Sequence, residues 1–127
     1  MKKNSQKGFS LIELLLVVVI IGIIAAIAVP ALSKSIVAAE NSSALSALKI
    51  MQIAESTLYV QQNRFVRLDQ VNQFQNGKLG TLGTNTLTRG KYIFEMVPPN
   101  PTDDELKSGF VIKSTRLIDQ FNLPYVV

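Results

Sequence analysis

The sequence predicts an α+β protein: a long N-terminal α-helix, first a membrane span and then an amphipathic half, packed against a small antiparallel β-sheet head. Three observations carry this reading. Leu14 to Leu32 is a run of nineteen residues without a charge, long enough to cross a hydrocarbon core. Ala44, Ala47, Met51, Ala54 and Leu58 then follow at alternating three- and four-residue steps, with Lys49, Gln52 and Ser56 on the other side, the pattern of a helix with one buried face. Finally, Tyr92 to Val97 and Phe110 to Ser114 read as strands flanking a Pro- and Asp-containing loop, which suggests an antiparallel pair laid on that helix.

Each segment follows in chain order. Residues 1–8 form a short basic leader, 9–61 the long helix (apolar over 9–32 and amphipathic over 33–61), and 62–127 a loop followed by the β head. A helix of that length measures roughly 80 Å at 1.5 Å per residue. Small residues in its buried stripe permit close packing, and the simplest role for Leu48, Met51 and Leu58 is to cover the protein's own sheet. Residues 62–90 are rich in Gln, Asn, Gly and Thr and carry Gly77, Gly80, Gly83 and Gly90. They read as an extended loop with one short helical turn near Leu68 to Phe74. A third short strand is expected near Tyr125 to Val127.

Composition excludes several functions. The chain of 127 residues has no cysteine and no histidine, so disulfides, thiolate chemistry and the commonest general base and metal ligand are all unavailable. No nucleophile, metal site or acid–base pair assembles, and an enzyme is not expected; no cofactor is implied. The formal charge of +4 owes much to Lys2, Lys3 and Lys7, without which ten basic residues face nine acidic ones. Scattered charge of this kind disfavours a nucleic-acid partner. Lys78 lies in Gly-Lys-Leu-Gly, but the P-loop spacing is missing. Asp103-Asp104-Glu105 offers hard oxygen ligands for calcium, although it lacks an EF-hand pattern and a solvated acidic turn accounts for it more simply.

Three lysines precede the apolar run and Lys34 alone closely follows it, which puts the N-terminus in the cytoplasm and the bulk of the chain outside. An ordinary secretory signal is one alternative, since Ala26-Ile27-Ala28 has the small-x-small pattern that would make Val29 the mature start. An uncleaved anchor is another. Neither accounts for the composition around residue 8, where a basic leader ends in Gly and a lone acid sits four residues beyond Phe9.

Gly8-Phe9-Ser10-Leu11-Ile12-Glu13-Leu14-Leu15 and the apolar residues up to Pro30 resemble the N-terminus of bacterial type IV pilins and pseudopilins. The resemblance is strong over residues 7–33, moderate over the amphipathic continuation, and limited to general layout in the C-terminal half. It implies that a prepilin peptidase cuts between Gly8 and Phe9 and methylates the amine of Phe9, the apolar helix being retained. It also implies a homo-oligomeric helical filament, with an inner-membrane assembly platform and ATPase as partners. The chain would be a single-pass inner-membrane protein before assembly and part of an extracellular or periplasmic filament afterwards. Many family members close the C-terminal region with a disulfide; here non-covalent packing or a metal must do so.

Ser10 and Glu13 stand in the spacing of a capping box, a local role available whatever else Glu13 does. A carboxylate in an apolar segment nevertheless costs up to a few kcal/mol and needs a positive partner. Cleavage after Gly8 creates an amine on Phe9, and the resemblance implies that Glu13 of an incoming subunit attracts such an amine during assembly. An unmatched charge among apolar helices would penalise wrong axial registers. Gly22 and Pro30 both weaken a helix, either as a simple bend or, as the resemblance implies, as the limits of a segment that melts on extraction from the bilayer.

The reading is therefore a structural subunit of a type IV pilus-like filament, made as a prepilin. A major pseudopilin of a type II secretion system shares the same N-terminal physics and stays open. So does a minor pilin or competence pseudopilin whose head binds DNA or a surface, with Arg64, Arg67 and Arg89 as its candidate contacts. Aromatics along the helix are few, essentially Phe9 and Tyr59, and give no basis for electron conduction.

Overall fold

The structure, a computed structural model, describes residues 7–117 and the backbone of residues 125 and 126. Residues 1–6 of the basic leader and Val127 of the expected third strand lie outside them. The chain divides into two compact units, Met1–Ala39 and Glu40–Val127, and helix α1 (Leu11–Gln62) contributes to both.

In the first unit every residue from Lys7 to Ile36 is exposed. Residues 7–10 have no regular structure and the helix begins at Leu11. It runs without interruption through Gly22 and Pro30. Its aliphatic side chains pack on nothing within the unit and leave a large exposed apolar surface, long and apolar enough to cross a membrane.

In the second unit the stripe read from the sequence is the core face of α1. Ala44, Ala47, Met51, Ala54 and Leu58 are all buried, while Lys49, Gln52 and Ser56 are exposed. Alanines at three of the five positions let the sheet approach the helix closely, and Met51 and Leu58 supply the volume. The helix ends where Asn63 takes a left-handed φ of 55° and its N–H bonds the Tyr59 carbonyl at 2.8 Å, a C-terminal cap that asparagine tolerates well. Helix α2 (Leu68–Phe74) follows, matching the expected helical turn.

The sheet is a five-stranded antiparallel meander in the order β1 (Thr81–Leu82), β2 (Thr86–Arg89), β3 (Tyr92–Met96), β4 (Ile112–Arg116) and β5 (Tyr125–Val126). Tyr92, Phe94 and Met96 alternate inward along β3, as a strand with one wet face requires. Across the sheet Leu87, Phe94 and Ser114 form one inward row. Arg89, Tyr92 and Arg116 form the next row, in which Tyr92 is buried and Arg89 is exposed.

Two expectations are corrected. Residues 62–90 are not one extended loop: they contain β1 and β2, with Leu87 fully buried. The strands are too short and too polar to stand out, because thronine-sized polar side chains face solvent on either side of a single inward leucine. The segment 97–111 also holds a short helix, α3 (Glu105–Ser108), whose Leu106 is buried. Strand β4 begins at Ile112, two residues later than read, although the Val97 N–H still reaches the Val111 carbonyl at 2.9 Å.

Candidate assembly site

The start of α1 is built by Ser10 and Glu13. Oγ of Ser10 accepts the Ile12 N–H at 3.4 Å, and Oε2 of Glu13 accepts the Ser10 N–H at 2.8 Å. Glu13 supplies its half of a capping box, while the Ser10 hydroxyl caps the second helical residue, Ile12, instead of Glu13 itself, so that two otherwise unpaired donors are satisfied. The cap fixes the boundary between helix and non-helical chain, so Gly8 and Phe9 stand outside the helix, both exposed, with open space around Gly8. A peptide bond in such a segment is open to a protease, whereas a helical one would first have to unwind. Glu13 holds its carboxylate one residue from Phe9, on the backbone N–H of Ser10.

Further along, Gly22 also has open space where a Cβ would stand. Pro30 has no N–H to give the carbonyl four residues earlier. Close by, Ser33 donates its hydroxyl to the Val29 carbonyl at 3.1 Å and Ser35 to the Ala31 carbonyl at 3.0 Å. Such back-bonding loosens a helix slightly, so one proline and two serines act within a few residues of one another.

The second unit holds a group that the sequence reading passed over. Glu55 is fully buried; Oε2 accepts the Val66 N–H at 2.9 Å, and Oε1 has no hydrogen-bond partner. Burial raises its pKa to about 7, against a smaller lowering by the Val66 bond. Its position was visible in principle, since 55 lies four residues after Met51 and three before Leu58 on the buried face.

The remaining candidates are dispersed. Arg64 and Arg67 both engage Asp103, at 2.7 and 3.3 Å, and Arg67 also donates to the Pro101 carbonyl at 2.9 Å. Arg89 pairs with Tyr92 at one end of β3, while Arg67 lies near Met96 at the other end. Arg89 thus stands apart from the Arg64 and Arg67 pair. Asp104 binds Lys107 at 2.8 Å, which holds its carboxyl below the usual range. Glu105 accepts the Thr102 N–H at 2.7 Å and is likewise lowered. The acidic turn is therefore bound to its own neighbours, and among the described residues no group of three or more possible metal ligands converges.

At the Tyr92 end of β3 a polar cluster closes the core. Tyr92 donates its hydroxyl to Asn41 Oδ1, and Arg116 pairs with Glu40, whose other oxygen lies 3.9 Å from Lys91 Nζ. Neither partner on α1 was singled out by periodicity, because both precede the apolar stripe.

Residues 3–29 match the family model described as the prokaryotic N-terminal methylation motif. A fimbrial protein of Moraxella nonliquefaciens is 48% identical over 54 residues, covering 42% of this chain and 35% of that protein. A type IV major fimbrial protein FimA of Dichelobacter nodosus is 54% identical over 57 residues, covering 42% and 35%. The type IV major pilin protein PilA of Myxococcus xanthus is 41% identical over 60 residues, covering 47% and 27%. The chain spans about a third of the length of the curated relatives it matches. No solved structure matches it.

Proposed function

We propose that the chain, whose N-terminal segment is similar to that of type IV pilins, is a structural subunit of a type IV pilus-like filament. It is made as a prepilin, cut between Gly8 and Phe9, methylated on the Phe9 amine, and drawn from the inner membrane into a homo-oligomeric helical filament. The observation that carries this reading is the capped helix start: an exposed non-helical Gly8–Phe9 segment abuts a continuous apolar helix that packs on nothing in its own unit.

Each part has a physical role. The exposed Gly8–Phe9 segment gives a membrane peptidase access, and the retained helix anchors the subunit until it is extracted. Glu13 supplies the only charge between Phe9 and Ser33, so a neighbour's Phe9 amine is its natural counter-ion and sets axial register. Gly22 to Pro30 is the segment that loosens on leaving lipid, helped by the back-bonded Ser33 and Ser35. Buried α1 alanines hold the head on the second half of the same helix. Prepilin peptidase, an assembly ATPase and a membrane platform are the partners this route needs.

The names of the relatives, fimbrial proteins and a major pilin, favour a pilus subunit over a pseudopilin of a secretion system. The test is to image sheared surface filaments from the native host by immunogold labelling with antibody to the head. Regular decoration along the shaft, lost on deleting the gene, supports a major pilus subunit. Filaments that persist undecorated after deletion contradict it.

A further inference from the structure

We propose that the two ends of the head's sheet are complementary docking surfaces: Arg89 and Lys91 of one copy receive the acidic turn Asp103-Asp104-Glu105 of a second copy, head to tail. The inference rests on the filament reading above and adds to it a contact between heads.

Strand register sets the two ends apart. Arg89 on β2 and Arg116 on β4 stand opposite Tyr92 at the start of β3, and Lys91 precedes Tyr92 across the turn at Gly90. Met96 closes β3 opposite Ile112, and the chain between these two carries Asp103, Asp104 and Glu105. Four steps of strand, about 13 Å, separate Tyr92 from Met96, and both ends belong to the same compact unit. Among the described residues no ion pair joins the cations of one end to the acids of the other.

Each end carries charge that its own unit leaves uncommitted. At the Tyr92 end Glu40 is the carboxylate in contact with the cations, pairing closely with Arg116 and only at 3.9 Å with Lys91. Arg89 is exposed and has no ion-pair partner among the described residues. Three positive charges against one negative leave a net excess of two. At the Met96 end the side chains of Asp104 and Asp103 are 90% and 61% exposed, whereas Arg64 and Arg67, which hold Asp103, are only 30% and 38% exposed. The carboxylates are thus the more accessible layer. Lys107 meets Asp104 in open solvent, where such a pair contributes little.

Charge and shape together choose the occupant. A groove of about 410 Å³ runs beside the cations, between Glu40 and Ser43 on α1 and the turn from Arg89 to Tyr92. It has the size of a short turn. A tightly held polyanion needs on the order of six or more phosphate contacts, which Arg89 and Lys91 do not supply, whereas they match a turn with two or three carboxylates. A contact between like ends would set cation against cation. A contact between unlike ends is heterologous: each copy that gives its acidic turn leaves its own cations open to the next, so the contact propagates instead of closing on a pair.

The chain has no cysteine, so contacts between copies can be trapped without interference. Arg89→Cys and Asp104→Cys are placed in one full chain expressed in the native host, and sheared filaments are oxidised and run on a non-reducing gel. A ladder of dimers, trimers and higher multimers is expected, with either single variant remaining monomeric. Filaments that form normally and give no ladder overturn the proposal, and so does a dimer from Arg89→Cys alone, which would place like ends together. Charge reversal decides the case in which the paired cysteines block assembly. Arg89→Glu is expected to lower filament yield about fivefold, and adding Asp104→Lys to restore it to within about twofold. An undiminished yield, or a loss that Asp104→Lys does not rescue, overturns the proposal. So does an Arg89→Glu filament that assembles normally but no longer retains DNA, which would assign the surface to nucleic acid. Absence of filaments from the unaltered chain overturns the filament reading itself, and this inference with it.

Discussion

Glu55 bonds the Val66 N–H at 2.9 Å from inside the core of the head, with its second oxygen unpartnered. The bond ties the C-terminal part of α1 to the chain just before α2, eleven residues later. Its cost depends on ionisation, because an acid that stays protonated to about pH 7 when folded loses its proton near pH 4.5 when unfolded.

The sign follows from proton counts. Between the unfolded and folded pKa values the folded state binds more protons, so stability falls as pH rises through this window. A shift from 4.5 to about 7 corresponds to an order of 3 kcal/mol, present as a penalty above pH 7 and absent below pH 4.5. Glu55→Gln keeps an acceptor for Val66 and cannot ionise. Thermal melts in detergent are expected to show the variant gaining on wild type by a few kcal/mol between pH 5 and pH 8. A constant difference across that range would contradict the burial of a titrating carboxyl.

Gly80 has a φ of 153°, and a Cβ there would run into the Thr88 carbonyl and approach Leu87 Cδ2 to 2.7 Å. Backbone cannot yield as a flexible side-chain end would. Gly80→Ala is expected to cost about 1–3 kcal/mol, seen as a lowered melting temperature of the head. The same change at Gly90, where nothing lies within 4 Å, meets only the strain of its φ of 59° and is expected to cost less.

Glu13→Gln separates two roles. The amide oxygen can still accept the Ser10 N–H, so the helix start is kept, while the charge is gone. Cleavage after Gly8 is expected to proceed, and filament yield in a shear assay to drop by about tenfold or more, since a lost ion pair in an apolar setting exceeds 1.4 kcal/mol. Normal filament yield would reduce Glu13 to a cap.

Pro30→Ala restores the missing N–H, and Gly22→Ala removes about 1 kcal/mol of helix weakness. Both stiffen α1 without adding contacts at Gly22. The double variant is expected to insert and to be processed, yet to give fewer or more brittle filaments, measured by shear yield and by hydrogen exchange of residues 22–30 in assembled material. Exchange as fast as in wild-type filaments would count against a melting role.

What could be read in advance divides along physical lines. The apolar run and the Ala44 to Leu58 stripe are long and periodic, and a repeated signal survives one exception; β3 was readable as a strand from its dense apolar and aromatic composition, and α2 only as a short turn within a loop. Strands β1 and β2 offer two and four residues with one buried leucine, too little for a period to declare itself. Helix α3 was signalled after all by Thr102 and Glu105 three residues apart, which exchange bonds at 2.7 to 3.4 Å, but the acids between them drew attention to cations instead. Glu55 was missed because an acid is ordinarily presumed to face water. The ion pairs of Arg116 with Glu40 and of Arg64 with Asp103 join residues too distant in sequence for spacing to reveal.

The most direct test of the account is the intact mass and N-terminal sequence of the protein recovered from sheared filaments of its native host. The account predicts a chain that begins at Phe9 and carries one methyl group on its amine. A chain beginning at Val29, or an unprocessed Met1, would contradict it, the first by making the apolar helix a discarded signal and the second by leaving a plain membrane anchor.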